Sequence, residues 1–153
     1  MLHIVCGNAT WKVLNINGNK LNDSSIVIEL SYNNTKYLFM GDATTTVESS
    51  KIWNKVDVLK VGHHGSSSST SQDFISQVSP KYAIISTNGR YGHPSDEVLE
   101  RLLKQGTKIY RTDKNNTIWI TSNGDEIKVN ELDYSMDGTR KKAINDIKEV
   151  FMY

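Results

Sequence analysis

The residues most able to do chemistry sit in Val56-Asp-Val-Leu-Lys-Val-Gly-His-His-Gly-Ser66. Val56, Val58, Leu59 and Val61 form a short β-branched apolar run, the pattern of a strand covered on both faces. The run ends abruptly at Gly62, where the chain can turn sharply. His63 and His64 are then presented at the strand's C-terminal end, where open α/β sheets carry ligands. Two further strand ends are polar: Gly41-Asp42 upstream, and His93-Pro94 downstream. A Gly-Asp pair alone is most often a turn, and His before Pro is most often a surface residue at a helix start. If these strands are neighbours with their ends on one rim, a carboxylate and imidazoles converge. That donor set suits a divalent ion such as zinc or manganese. Such an ion makes hydroxide available at neutral pH and polarises a phosphoryl or carbonyl oxygen.

The elements that must position these groups are legible in order. Trp11–Ile16 alternates loosely and stops at Asn17-Gly18, a turn signal. Asn22–Ser25 is a polar loop feeding a strong strand over Ile26–Tyr32. Asn33-Asn34 turns it back into Lys36–Met40, so 25–41 is expected to be a hairpin. Residues 44–54 predict a short helix capped by Thr44 or Thr45, with Val47, Ile52 and Trp53 inward. Ser66–Ser71 is a hydroxyl-rich loop. A second helix is expected over 71–78, with Phe74, Ile75 and Val78 inward and Pro80 marking its end. Lys81–Ser86 is another buried strand.

Ser95–Gln105 is the clearest helix, with a serine cap, acids in the first turn and Gly106 at its end. Val98, Leu99, Leu102 and Leu103 form its expected apolar stripe. Strands are predicted over 107–112, 117–121 and 126–130, the last two joined at Asn123-Gly124. From 131 the pattern breaks into a tail, with an amphipathic helix expected over 137–152. The alternation predicts a mixed sheet with helices on at least one face.

The 153 residues suffice for one domain, and a net charge of +1 selects no partner by bulk field. Cys6 is the lone cysteine, so no internal disulfide can form, which fits a reducing, cytoplasmic setting. No stretch approaches the ~20 apolar residues of a membrane span. Lysines and arginines are scattered, so no nucleic-acid surface is evident from charge.

Five segments together carry a resemblance: Asn22-Asp-Ser-Ser-Ile-Val-Ile28, Leu38-Phe-Met-Gly-Asp42, Val58-Leu-Lys-Val-Gly-His-His-Gly-Ser66, Tyr91-Gly-His-Pro94 and Tyr110-Arg-Thr-Asp113. In this order they resemble the signatures of the metallo-β-lactamase superfamily, in the branch of the metallohydrolase domain of the DNA-uptake channel protein ComEC and its soluble relatives. The resemblance spans roughly 10–124. It implies an αββα sandwich with the metal site on the rim between two sheets. It implies Asp42 as the bridging carboxylate of a dinuclear zinc or manganese site. One histidine of His63-His64 would be a ligand, with His64 favoured and the other near the substrate. His93 would face the substrate, and His63 with Ser66 and Ser67 would hold its anionic part. Asp23 would lie near the site without being a ligand. The implied reaction is hydrolysis of phosphodiesters, nucleic acid foremost, by metal-bound hydroxide.

The superfamily's His-x-His/Asp-x-Asp-His segment does not occur here; the four histidines are His3, His63, His64 and His93. The resemblance therefore covers a C-terminal half of the fold, assigned to residues 1–130 with 131–153 as tail. Two protein ligands would hold a metal weakly, since a catalytic zinc takes three plus water. A half sandwich would also leave the inner sheet face open and prone to associate. The expected partner is an N-terminal half-domain on another chain, or a second copy, with little activity from this chain alone. A non-catalytic binding or oligomerisation module derived from the same fold is the alternative.

Overall fold

The computed structural model describes residues 2–132. One seven-stranded mixed sheet dominates, in the spatial order β1-β2-β3-β4-β5-β6-β7. The strands are β1 (His3–Cys6), β2 (Ala9–Asn15), β3 (Val27–Tyr32), β4 (Thr35–Phe39), β5 (Val58–Lys60), β6 (Tyr82–Ile85) and β7 (Lys108–Arg111). β1 to β4 form an antiparallel meander, and β4 to β7 run parallel. The helices are α1 (Thr45–Ser49), α2 (Gln72–Val78), α3 (Asp96–Lys104) and the single turn α4 (Thr112–Asn115). A separate hairpin, β8 (Thr117–Ser122) and β9 (Ile127–Leu132), completes the described part.

The hairpin expected over 25–41 forms, with Tyr32 paired to Thr35 across Asn33-Asn34. Side chains alternate between sheet faces along each strand. Leu38, Leu59, Ala83 and Ile109 stand in one register row. They pack with Val47, Phe74, Ile75, Val78, Val98 and Leu102 from the helices in a single cluster. The helices are held where the sequence caps them: Ser71 accepts from Phe74 N–H, and Ser95 from Val98 N–H. The buried Glu48 carboxylate accepts from Ser71 N–H at 2.8 Å and so ties α1 to the start of α2.

The opposite face differs. Trp11, Leu30, Tyr37, Phe39 and Val58 line an open groove of about 560 Å³, roofed in part by Ile118 and Ile120 of β8. Trp11 and Phe39 stack there with ring centroids 6.4 Å apart. The fold is thus a mixed sheet with helices on one face and a largely apolar second face. No helix among the described residues is long and apolar enough to cross a membrane.

Three expectations need correction. β1 pairs with β2 although no strand was predicted there. α1 stops at Ser49, so Ile52 lies beyond it and is 93% exposed. Leu103 is 64% exposed, because Val98 and Leu102, with the partly buried Leu99, fill the side of α3 that faces the core. The helix expected over 137–152 lies outside the described residues.

Candidate functional site

Because β4 to β7 are parallel, their C-terminal ends share one rim. Each end carries a polar segment in the same spatial order: Gly41-Asp42, then His63-His64, then Thr87–His93, then Thr112-Asp113. The Asn22–Ser25 loop enters antiparallel β3 from the same edge.

The rim is built around close backbone approaches. Gly41 has φ +57, and a Cβ there would meet Ser25 Cβ at 3.0 Å. Ser25 Oγ in turn accepts from Asp42 N–H at 3.0 Å. His63 N–H donates to the Gly41 carbonyl at 2.9 Å, which joins the two strand ends directly. Gly62 lies against the Ala43 carbonyl, 3.0 Å from where a Cβ would stand. Gly65 has φ +81, and its Cβ would sit 2.6 Å from Pro94 Cβ. A side chain at either position would push the rim apart.

Between these glycines His63 and His64 both adopt left-handed backbone, φ 46 and φ 55. Each such non-glycine residue costs about 1–2 kcal/mol. Two in succession persist only where the surroundings hold them, which is a mark of functional positions. His63 lies between Ser68 Oγ, 3.2 Å from Nδ1, and Asn22 Nδ2, 3.4 Å from Nε2. His64 Nδ1 lies 2.7 Å from the Ser86 carbonyl. A carbonyl only accepts, so Nδ1 carries the proton, and in the neutral ring Nε2 presents its lone pair. That lone pair lies 3.7 Å from Asp42 Oδ1. Two acceptors face each other, an arrangement that calls for a proton or a cation between them. Both side chains are about half exposed, 50% and 47%, so the position is reachable from solvent.

Asp42 and His64 thus come together, with His63 and His93 beside them; the His63 and His93 ring centroids are 5.8 Å apart. His93 Nδ1 is buried without a hydrogen-bond partner. Ser66 is buried, and its N–H is engaged by the His63 carbonyl at 2.8 Å. Ser67 is exposed. Asp23 is buried and accepts from the Thr44 hydroxyl, so it braces the start of α1.

Residues 21–90 match the profile of the Metallo-beta-lactamase superfamily. The chain belongs to the metallo-β-lactamase superfamily. It is 42% identical over 104 residues to ComE operon protein 3 of Bacillus subtilis, covering 63% of this chain and 13% of that protein. It is 35% identical over 99 residues to Competence protein ComA of Neisseria gonorrhoeae, covering 60% and 14%. It is 34% identical over 115 residues to Recombination protein 2 of Haemophilus influenzae, covering 72% and 14%. The match therefore spans only 13–14% of the length of these relatives.

Metals are the usual cofactors of this superfamily, so the donor set must be tested for fit. A carboxylate oxygen and a neutral imidazole nitrogen suit zinc or manganese. Among the described residues no group of three or more His, Cys, Asp or Glu side chains is close enough to enclose an ion. Asp42 and His64 are thus two converging donors, fewer than a metal cage requires.

Several rim residues were missed from sequence. Asn22, named only as part of a signature segment, and Ser86 orient the histidines, a role that an amide in a polar loop and a backbone carbonyl do not announce. Lys60 was read only as part of a strand. Its burial pushes the ammonium pKa down, and the Asp42 carboxylate opposes that shift. It adds a cation to the apolar groove, close beneath the rim. Arg90 and Tyr91 line a cleft of about 430 Å³ with His64, Thr87 and His93.

Proposed function

We propose that this segment supplies the Asp42–His64 edge of a metal-dependent phosphodiesterase, with nucleic acid as substrate class. The observation that carries the reading is the orientation of the His64 ring between the Ser86 carbonyl and the Asp42 carboxylate. Its Nδ1 proton is given to the Ser86 carbonyl, and its Nε2 is turned toward the Asp42 carboxylate. A carbonyl fixing the imidazole that would ligate an ion is the arrangement by which proteins orient metal-binding histidines. Asp42 and His64 would hold zinc or manganese, as part of a dinuclear site, together with donors from a segment outside the described residues. The metal, when bound, supplies hydroxide at neutral pH. The chain's own residues bind and orient. His63, held between Asn22 and Ser68, and His93, with its unpartnered Nδ1, stand on the substrate side.

The groove supports the reading of a covering partner. An open apolar face containing Trp11, Phe39 and a half-buried lysine is incomplete in water. A half-domain bearing the His-x-His/Asp-x-Asp-His donors would cover it and complete the cage in one step. The test mixes the chain with such a half-domain and manganese or zinc, and measures hydrolysis of a phosphodiester. Activity is expected to need both parts and to fall at least a hundredfold in Asp42→Ala, since metal chemistry contributes several kcal/mol. Full activity in Asp42→Ala would sink the proposal.

One observation favours a second reading, that of a non-catalytic binding or oligomerisation module: only two donors meet among the described residues. A stable dimer of this chain that takes up no transition metal, even with the half-domain present, would select it.

A further inference from the structure

The loop after β6 holds an aromatic side chain in the open. Tyr91 is 89% exposed, on the lip of the cleft whose walls include His64 and His93. Its backbone is left-handed, φ 61, between Gly89 at φ 73 and Gly92 at φ 69. The loop is nonetheless closely tied. Thr87 Oγ donates to the His93 carbonyl at 3.0 Å and accepts from Gly89 N–H at 3.0 Å. Asn88 Oδ1 accepts from Arg90 N–H at 3.0 Å, and His93 N–H donates to the Arg90 carbonyl at 3.1 Å. Gly89 abuts the Asp113 carboxylate, 3.2 Å from where a Cβ would stand. A ring on a braced loop, with its faces in water, is a stacking platform. Beside it, Arg90 is exposed, and among the described residues it makes no ion pair.

We propose that Tyr91 and Arg90 form a clamp for a single-stranded polynucleotide, with a base stacked on the Tyr91 ring and a neighbouring phosphate on the Arg90 guanidinium. The clamp rests on the phosphodiester reading of the Asp42–His64 site and deepens it. An exposed aromatic next to an unpaired cation is the recurring pair for unstacked strands, because every base has a π-face and every linkage a charge. A duplex keeps its bases stacked and out of reach of such a ring. The cleft volume lies within the range of small-ligand sites, enough for one nucleotide rather than a helix. Its position between Tyr91 and His64 would place a linkage beside the metal edge.

The test uses the full chain and fluorescence anisotropy. The probes are a labelled oligothymidylate of about twelve nucleotides, within the usual span of single-strand sites, an abasic strand of equal length, and the duplex. The oligothymidylate is expected to bind more tightly than the other two. Tyr91→Ala should weaken its binding by roughly five- to a hundredfold while leaving the abasic strand unchanged, and Tyr91→Phe should restore it. Arg90→Gln should weaken all three alike and lower the salt slope by about one. If the abasic strand binds as well as oligothymidylate, or Tyr91→Ala binds normally, the clamp is overturned and the phosphodiester reading survives. If no strand binds, the clamp is overturned, while the phosphodiester reading is decided separately by the hydrolysis assay with the half-domain present.

Discussion

The turn after β5 and the loop after β6 leave neighbouring parallel strands at the same rim, and both use left-handed backbone at non-glycine positions, His63 and His64 in the first and Tyr91 in the second. They are secured in different ways. The His63-His64 turn is locked by backbone contacts on both sides, with glycines where no Cβ fits. The Thr87–His93 loop is tied by hydroxyl and amide side chains, and Gly92 has nothing within 4 Å of a would-be Cβ. The difference matches the role proposed for each. Metal donors need their atoms fixed within a fraction of an ångström, and packed backbone provides that. A surface that receives varied bases needs orientation with some give, and exchangeable hydrogen bonds provide it.

The sharpest way to break this contrast is to add one methyl group to each segment. Gly65→Ala combines a strained φ of about 1–2 kcal/mol with overlap against Pro94, another ~1–3 kcal/mol. A loss of roughly 2–5 kcal/mol is expected in urea unfolding. Gly92→Ala faces only the backbone term, about 1–2 kcal/mol. Equal losses would mean that the two segments are held alike.

A smaller effect probes the second loop alone. The Thr112 hydroxyl donates to the Thr87 carbonyl at 2.7 Å and accepts from Thr87 N–H at 2.8 Å. Thr112→Val leaves both groups unpaired, at a cost of about 1–2 kcal/mol. Amide exchange is expected to speed up at Thr87, Gly89 and Arg90, and to stay slow at His63. Faster exchange at His63 would show the rim to be one cooperative unit.

These contacts also explain what could be read from sequence. Asp42 and the paired histidines were legible because glycines and abrupt strand ends mark where a chain must turn at a sheet edge. The hairpin and the serine caps were legible for the same local reason. The tautomer of His64 was not, since its determinant is the Ser86 carbonyl, twenty-two residues away and common to every residue type. Tyr91 was noticed only within a signature segment and Arg90 only as an isolated cation, because a glycine-flanked polar loop looks the same whatever its side chains do. β1 escaped because all four of its residues are exposed, so no burial pattern betrays it. Ile52 was misplaced because helical periodicity was carried past Ser49, where the helix ends.

The smallest expected effect depends on pH and concerns the base of the loop. Arg111 Nε and Nη2 donate to the two Asp113 oxygens at 3.0 and 2.7 Å. These hydrogen bonds hold the Asp113 carboxyl below its ordinary range, with burial opposing them and the guanidinium charge adding to them. A carboxyl lowered in the folded state binds its proton more weakly there than in the unfolded chain. Its contribution is therefore in full force above the unfolded value of about 4 and fades as pH falls through the lower folded one. Because the pair sits beneath Gly89, its loss should loosen the Thr87–His93 loop first. Asp113→Asn is expected to be slightly less stable than the parent at pH 7, and the gap should shrink when both are unfolded in urea near pH 3. A gap that stays constant across that range would mean that Asp113 acts through shape instead of charge, and that the loop rests on its hydroxyl ties alone.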